Sequence, residues 1–363
     1  MTSKDDMILA TKEAAKNHKK TKIITNYLKD IDSRTDKLRE QILNGTWNPP
    51  DHEEVWICEG ANQKPRNIVK PRWDNEQIVH HMLMRQFEPI VEKRLYRYSA
   101  GSVKGKGLHF ICKSMRRWVK KYGDQKFYVA ELDIKKFYDN VDIPTLKSML
   151  EKKIRDKRYL DLLFKVIGDG DKGIPKGFYV SPLLSHFYLL PLDSFITQKL
   201  KPQHYARYVD NMWLFSTNKR KLHKMVEEIN GFLGKELKLK LKENWQVFRF
   251  DDGHGHGRFI NCLGYNICRN KVRIRKSILK RIRAKAMRMR HHYTYHNCCS
   301  MISRMGWFTL SDSYGYYLKW IKPYFNIRYA KKRIRRMQQK NGNSNSNKQG
   351  RSEENHSEAL RCG

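Results

Sequence analysis

The 363 residues carry 74 Lys+Arg against 37 Asp+Glu, a formal charge of +37 that points to a polyanionic partner. With 39% hydrophobic and 12% aromatic residues the chain holds enough apolar material to fold, which excludes a basic disordered tail as its main character. Nucleic acid is the first partner expected and an anionic membrane surface the second. No apolar run approaches the roughly 20 residues of a membrane span, so no spanning segment is expected, and the partner expected is nucleic acid and no membrane.

The opening stretch "MTSKDDMILATKEAAKNHKK" lacks the apolar core of a signal peptide, and the seven cysteines are odd in number without paired spacing. Both features predict a soluble, cytoplasmic protein with reduced thiols. Residues 1–60 read as a polar helical N-terminal extension, ending where Gly45, Pro49 and Pro50 break any helix. After the loop Lys70-Pro71-Arg72, the apolar Ile78, Met82 and Phe87 fall near helical spacing. "SAGSVKGKGLHF" is a Gly and Lys loop opening a second, basic helix.

Residues 127–134, "FYVAELDI", have the composition of a buried strand with Asp133 near its end. "IPTLKSMLEKKI" and "SPLLSHFYLLPLDSFITQKL" read as helices, and "HYARYVDNMWLFS" as two short strands around a turn that carries Asp210. A helix over "NKRKLHKMVEEINGFL" follows, then strands through "FINCLGYNIC". Residues 271–290 hold ten Lys or Arg and no acid, predicting a helix with Ile278, Ile282 and Met289 inward and a basic face outward. The low-complexity end, from about residue 336, predicts a disordered tail.

Asp133 and Asp210 lie 77 residues apart and can meet in one sheet. Two carboxylates held together repel unless a cation sits between them, and oxygen-ligated Mg2+ suits that need. Two such ions clamp the attacking hydroxyl and the leaving oxygen of a phosphoryl transfer. In a chain this basic, the expectation is a nucleotidyl transferase.

The words around these acids sharpen it. "ELDIKKFYDNVD" (131–142), "GIPKGFYVSPLLSHFYLLPLD" (173–193), "RYVDNMWLF" (207–215) and "FINCLGYNI" (259–267) occur in the order of the palm motifs of bacterial reverse transcriptases, which they closely resemble. "IVKPRWDNEQIVHHMLMRQFEPI" and "SAGSVKGKGLHFICKSMRRW" resemble that family's fingers, and "MISRMGWFTLSDSYGYYLKWIKPYFNI" the thumb of its phage-borne, diversity-generating retroelement and group II-like branch. Ordered motifs together are far more specific than any one alone.

The resemblance implies an α+β right-hand polymerase, with fingers at 61–125, a palm with an antiparallel sheet at 126–269 and a helical basic thumb at 270–335. It implies RNA-directed DNA synthesis with an RNA template, a DNA or RNA primer and dNTPs. Mg2+ would be the cofactor, with Mn2+ as an alternative, and a small accessory protein or a structured RNA would be a further partner, as in that branch. Asp133, the backbone of Ile134 and Asp210 would hold the metals, with Asn211 beside them. Tyr138 would gate the sugar, although by itself it reads as core packing beside Phe137. Gly177, after Pro175 and Lys176, would approach the nucleotide, with the helix from Ser181 behind it. Lys70 and Arg72 would meet the triphosphate, and Lys242 would protonate pyrophosphate. Lys104, Lys106, Gly264, Tyr265, Trp307 and Lys319 would line the template-primer, with Tyr314, Tyr316, Tyr317, Trp320 and Lys322 sharing the thumb surface.

The chain departs from the resemblance at two places. Lys176 stands where most relatives have Gln, or Ile in the diversity-generating branch, so that branch's infidelity is not carried over. Asn211 stands where relatives usually have a second Asp. It keeps size and an oxygen acceptor but removes a charge, so a slowed enzyme is expected. Two alternatives stay open: a polymerase-shaped nucleic-acid scaffold, favoured by Asn211, and a template-independent or abortive-infection polymerase, suggested by "KGFYVSP". His292, His296 and Cys299 do not make the four paired ligands of a structural zinc site.

Overall fold

The Ser3 hydroxyl accepts a hydrogen bond from the Asp6 amide and starts α1 (Lys4–Ala15), followed by α2 (Lys22–Lys29) and α3 (Ile31–Leu43). The computed structural model describes residues 3–16, 21–59, 64–251, 253–290 and 292–339. Met7 and Ala10 of α1 are buried, and Arg85 on α4 (Ile78–Glu92) pairs with Asp6 at 3.1 Å and Glu13 at 2.7 Å. The N-terminal helices are therefore anchored to the body that follows.

Between α3 and α4 the chain forms an antiparallel hairpin, β1 (Glu53–Glu59) with β2 (Lys64–Lys70), in register Val55↔Ile68 and Trp56↔Asn67. The sequence reading, which took residues 1–60 as a helical extension, passed over this hairpin, because β1 opens on two glutamates just after a Pro-Pro break and its apolar run goes only from Val55 to Cys58. A π-helical turn, Trp73–Gln77, leads into α4.

Next come β3 (Ser99–Ala100), α5 (Leu108–Tyr122), β4 (Tyr128–Asp133), α6 (Phe137–Asn140), α7 (Ile143–Glu151) and α8 (Lys157–Ile167). The long apolar helix expected over 181–200 is three pieces: α9 (Ser181–Tyr188), α10 (Leu190–Ser194) and a π-helical turn, Phe195–Leu200. Pro191 lacks the amide that would continue the ladder from α9.

β5 (His204–Tyr208), β6 (Asn211–Ser216), α11 (Lys219–Glu236) and β7 (Gln246–Arg249) complete this part. The strands lie in the order β3-β5-β6-β4-β7, antiparallel except for the short β3–β5 pair. Ala130, Leu132, Met212 and Leu214 share a core with Leu222, Met225, Val226 and Ile229 of α11. Alternation along β4 and β6 then places Asp133 and Asn211 on the opposite face.

The chain divides into two compact units, Met1–Arg258 and Phe259–Gly363. The second unit opens with β8 (Ile260–Cys262), β9 (Tyr265–Ile267) and β10 (Val272–Ile274), a three-stranded antiparallel sheet. The helices α12 (Lys276–Met289), α13 (Tyr295–Met305) and α14 (Tyr314–Trp320) follow, with a last helix over 327–339. The expected basic helix thus starts at Lys276, since 272–274 are strand. Ile282 and Met289 are buried in this unit's core and Ile278 packs against it partly buried. The tail expected from 336 lies, from residue 340 on, outside the described residues. Among the described residues no helix is long and apolar enough to cross a membrane, and Cys112, Cys262, Cys268, Cys298 and Cys299 form no disulfide.

Candidate polymerase active site

Asp133 closes β4 directly opposite Asn211, the first residue of β6. Val209 and Asp210 form the connecting turn, and Val209 adopts φ +54. A β-branched residue in that region stores about 1–3 kcal/mol of strain and persists only where its surroundings fix it. Here the Val209 amide donates to Ala100 O at 3.0 Å, Arg207 donates to Val209 O at 2.9 Å, and the Ile134 amide donates to Asp210 O at 3.3 Å. Gly101 permits this contact, since a Cβ there would lie 2.7 Å from Val209 Cγ2.

The two acids are close enough to act on each other. Burial, and then the neighbouring Asp133 charge, raise the pKa of Asp210 above the usual carboxylate range. The Asn211 side-chain amide donates to Asp210 Oδ1 at 3.0 Å. The Lys242 ammonium pairs with Asp133 Oδ2, and its backbone amide donates to Asp133 O at 2.8 Å. Asp133 Oδ1 is buried and has no hydrogen-bond partner.

This chemistry fits a hard divalent cation. Two carboxylates and a nearby backbone supply oxygen donors, one buried oxygen has no partner, and a mutual repulsion would be relieved by positive charge. Among the described residues no group of three or more His, Cys, Asp or Glu could hold a metal, so any ion here would rest on these two acids and backbone oxygens. Ile134 could take part only through its main chain, because its buried side chain is a hydrocarbon without a donor atom.

Tyr138 sits on α6, entered through Lys136 at φ +44, and borders a cavity of about 610 Å³ with Arg66, Ile68, Lys176, Gly177 and Ser181. Gly177 has φ +109, and a Cβ on it would collide with Ile68 Cγ2 and Val69 O. The loop is fixed from both sides: the Val69 amide donates to Lys176 O at 2.8 Å and the Ser181 hydroxyl donates to Pro175 O at 2.6 Å. Lys176 pairs with Asp139 at 2.6 Å, so its charge is engaged with the residue after Tyr138.

Lys70 is exposed, and Arg72 pairs with Asp74 at 3.2 Å; neither borders the cavity. Arg66 does, and the sequence reading missed it. Its signal was the alternation of β2, which puts Arg66, Ile68 and Lys70 on one face. Lys104 is exposed on a compact loop closed by Gly101 N to Lys106 O at 3.0 Å and Lys106 N to Val103 O at 3.0 Å.

In the second unit, Tyr265 corrects an expectation. Its ring is fully buried and its hydroxyl donates to Trp307 O at 3.0 Å, so it packs and is not available to touch a template. A Cβ on Gly264 would lie 2.7 Å from Ile278 Cδ1 and 2.8 Å from the Trp307 ring, so Gly264, Tyr265 and Trp307 form one packing knot. Lys319 is exposed beside Trp320, over which the Arg283 guanidinium lies at 3.7 Å. Tyr314 is exposed, whereas Tyr316 and Tyr317 pack against the core.

With this geometry in view, residues 68–267 match the family of the reverse transcriptase (RNA-dependent DNA polymerase), and the chain belongs to that family. Its α+β fold is that of the right-hand polymerases, with both carboxylates at one end of the interior strands β4 and β6. Among its relatives, the protein YkfC of Escherichia coli strain K12 is 25% identical over 280 residues, covering 65% of this chain and 71% of YkfC. The group II intron-encoded protein LtrA of Lactococcus lactis is 28% identical over 175 residues, covering 45% of this chain and 28% of LtrA. The retron Ec73 reverse transcriptase of E. coli is 26% identical over 172 residues, 44% of this chain and 53% of that enzyme. The chain thus spans under a third of LtrA and about half of the retron enzyme. The family match ends at Ile267, and α12–α14 lie beyond it.

Proposed function

We propose that this chain copies an RNA template into DNA from a DNA or RNA primer, by nucleotidyl transfer at Asp133 and Asp210. The observation that carries the reading is the buried, unpartnered Asp133 Oδ1 beside an Asp210 whose charged form is disfavoured. Asp133, Asp210 and the Ile134 main chain would hold Mg2+, or Mn2+. Two such ions, when bound, would supply the charge that lowers the pKa of a primer 3′-hydroxyl and offsets that of the departing pyrophosphate.

The chain's own groups do the rest. Tyr138 faces the cavity where its ring would collide with a ribose 2′-hydroxyl and admit a deoxyribose. Gly177 brings backbone close to the base. Arg66, with Lys70 and Arg72 further along the same strand and loop, supplies charge for the triphosphate. Exposed Lys104 in the first unit, and Lys319 and the Arg283–Trp320 stack in the second, suit phosphates and sugars of the template-primer. We place the activity in a bacterial or phage retroelement, such as a diversity-generating one, within the cytoplasm.

Asn211 favours a second reading, a scaffold with weak or no synthesis, because its amide occupies Asp210 Oδ1 where relatives present another acid. Extension of oligo(dT) on poly(rA) with dTTP and Mg2+ or Mn2+ separates the two. We expect product that Asp133→Ala or Asp210→Ala abolishes. No product with either metal would overturn the copying reading, and product without template would favour a template-independent polymerase.

A further inference from the structure

Behind the catalytic turn lies a buried polar network that the reaction itself does not use. Arg207 is fully buried and Asp193 nearly so. The guanidinium grips this carboxylate twice, Nε to Oδ1 at 2.8 Å and Nη2 to Oδ2 at 2.5 Å. Tyr205 donates its hydroxyl to Oδ1 at 2.8 Å and Ser99 donates to Oδ2 at 2.8 Å, so Asp193 has its charge fully met. The remaining guanidinium nitrogen, Nη1, reaches Val209 O at 2.9 Å and His186 Nδ1 at 3.4 Å.

The histidine's tautomer follows from its partners. A carbonyl can only accept, so the 2.6 Å contact of His186 Nε2 with Gly101 O places the proton on Nε2. Nδ1 is then the acceptor for Arg207, and the ring is neutral. Gly101 is the residue against which Val209 Cγ2 packs, and the adjacent Ala100 O receives the Val209 amide. The network therefore holds Val209 from its carbonyl directly and from its amide side through β3 and His186.

We propose that Arg207, fixed by Asp193, is a positioning residue that locks Val209 in its left-handed conformation and thereby aims Asp210 at Asp133, setting the metal affinity of the pair. This rests on the reading of Asp133 and Asp210 as metal ligands given above. Arg207 touches neither acid's side chain and no substrate. An apolar pair of similar volume could fill the same space as stably, so the distinctive effect of the guanidinium is geometric: a fixed fork with one arm left for the Val209 carbonyl. Without it, Val209 can relax to negative φ, which turns the following carboxylate away from β4.

The test uses the full chain with Arg207→Met and Asp193→Leu together, and separately Arg207→Lys. Three quantities are read: the melting temperature, the Mn2+ dissociation constant by titration without nucleic acid, and the Mg2+ concentration for half-maximal primer extension. We expect the double variant to melt near the parent, with Mn2+ binding weakened at least about tenfold, the scale of a lost supporting contact at a metal site. The Mg2+ requirement should rise in step, with KM for template-primer unchanged and Arg207→Lys intermediate. A folded double variant with unchanged Mn2+ affinity and Mg2+ requirement overturns the proposal. Should the double variant fail to fold, Ser99→Ala with Tyr205→Phe loosens Asp193 at little change in volume, and unchanged Mn2+ affinity there overturns it equally. A parent that binds Mn2+ but extends no primer would remove the copying reading while the binding shift still decides the role of Arg207. A parent with no Mn2+ site would overturn both.

Discussion

The Lys242 ammonium holds Oδ2 of Asp133 while Oδ1 of the same carboxylate stays buried without a partner. A metal held as proposed would therefore compete with the lysine for one carboxylate. Lys242→Met should lower the metal-free melting temperature, since Asp133 and Asp210 lose their nearest cation. It should also tighten Mn2+ binding by about 2- to 5-fold, the factor a partly exposed ion pair supports. Thermal melts with and without Mn2+ check this, and a variant whose metal affinity is unchanged would show that the pair does not compete.

Asp210 predicts a pH dependence with a definite sign. Burial and Asp133 raise its pKa, so the folded chain binds this proton more tightly than the unfolded chain does. Stability from this group falls as pH rises from the ordinary carboxylate value, roughly 3.9, through the raised one, and the deficit persists at neutral pH. Asp210→Asn should thus abolish synthesis yet raise the metal-free melting temperature near pH 7, by roughly 2–4 °C per 1 kcal/mol of relieved repulsion. The gain should vanish below about pH 4, where Asp210 is protonated in both states. An equal melting temperature for parent and variant across that range would count against the repulsion.

Asn211→Asp exchanges a hydrogen-bond donor on Asp210 for a third negative charge at the site. The metal-free protein should become less stable, while the Mg2+ needed for half-maximal extension should fall roughly tenfold, as about 1.4 kcal/mol of added attraction gives. If neither the rate nor the Mg2+ requirement moves, the missing charge is dispensable in this chain.

Gly177→Ala would press a Cβ against Ile68 and Val69 O and demand φ +109 of an alanine. The loop must move away from β2, breaking the bond from Val69 N to Lys176 O. Steady-state extension should show kcat/KM for dNTP down by roughly 100-fold, the cost of misplacing a substrate by about 1 Å. Gly45→Ala, where a Cβ meets nothing within 4 Å, is the control that should leave this ratio alone.

Much of the site was legible because it sits on regular, local features. A strand-like run ending in Asp133 and a tight hairpin carrying Asp210 can be read from alternation and turn length, and both stand where expected. The hairpin β1–β2 was not, since its strands carry charges at both ends and its partner is the Gly177 loop over 100 residues away. Arg207 reads as one more base in a basic chain; only the fold reveals that it is fully buried on Asp193. Tyr265 likewise looks like a surface aromatic beside Gly264, and its burial follows from Trp307, 42 residues on.

The bonds that fix the catalytic turn join distant parts of the chain: Ser99 to Asp193 spans 94 residues and Lys242 to Asp133 spans 109. Contacts of such separation form late, after the entropy of closing long loops has been met. Asp210 therefore acquires its aim only once chain from both ends of that span has emerged from the ribosome and docked. A nascent chain that stops before residue 242 carries both acids without the lysine that pairs with Asp133, so the repulsion between them meets its nearest cation only late in synthesis.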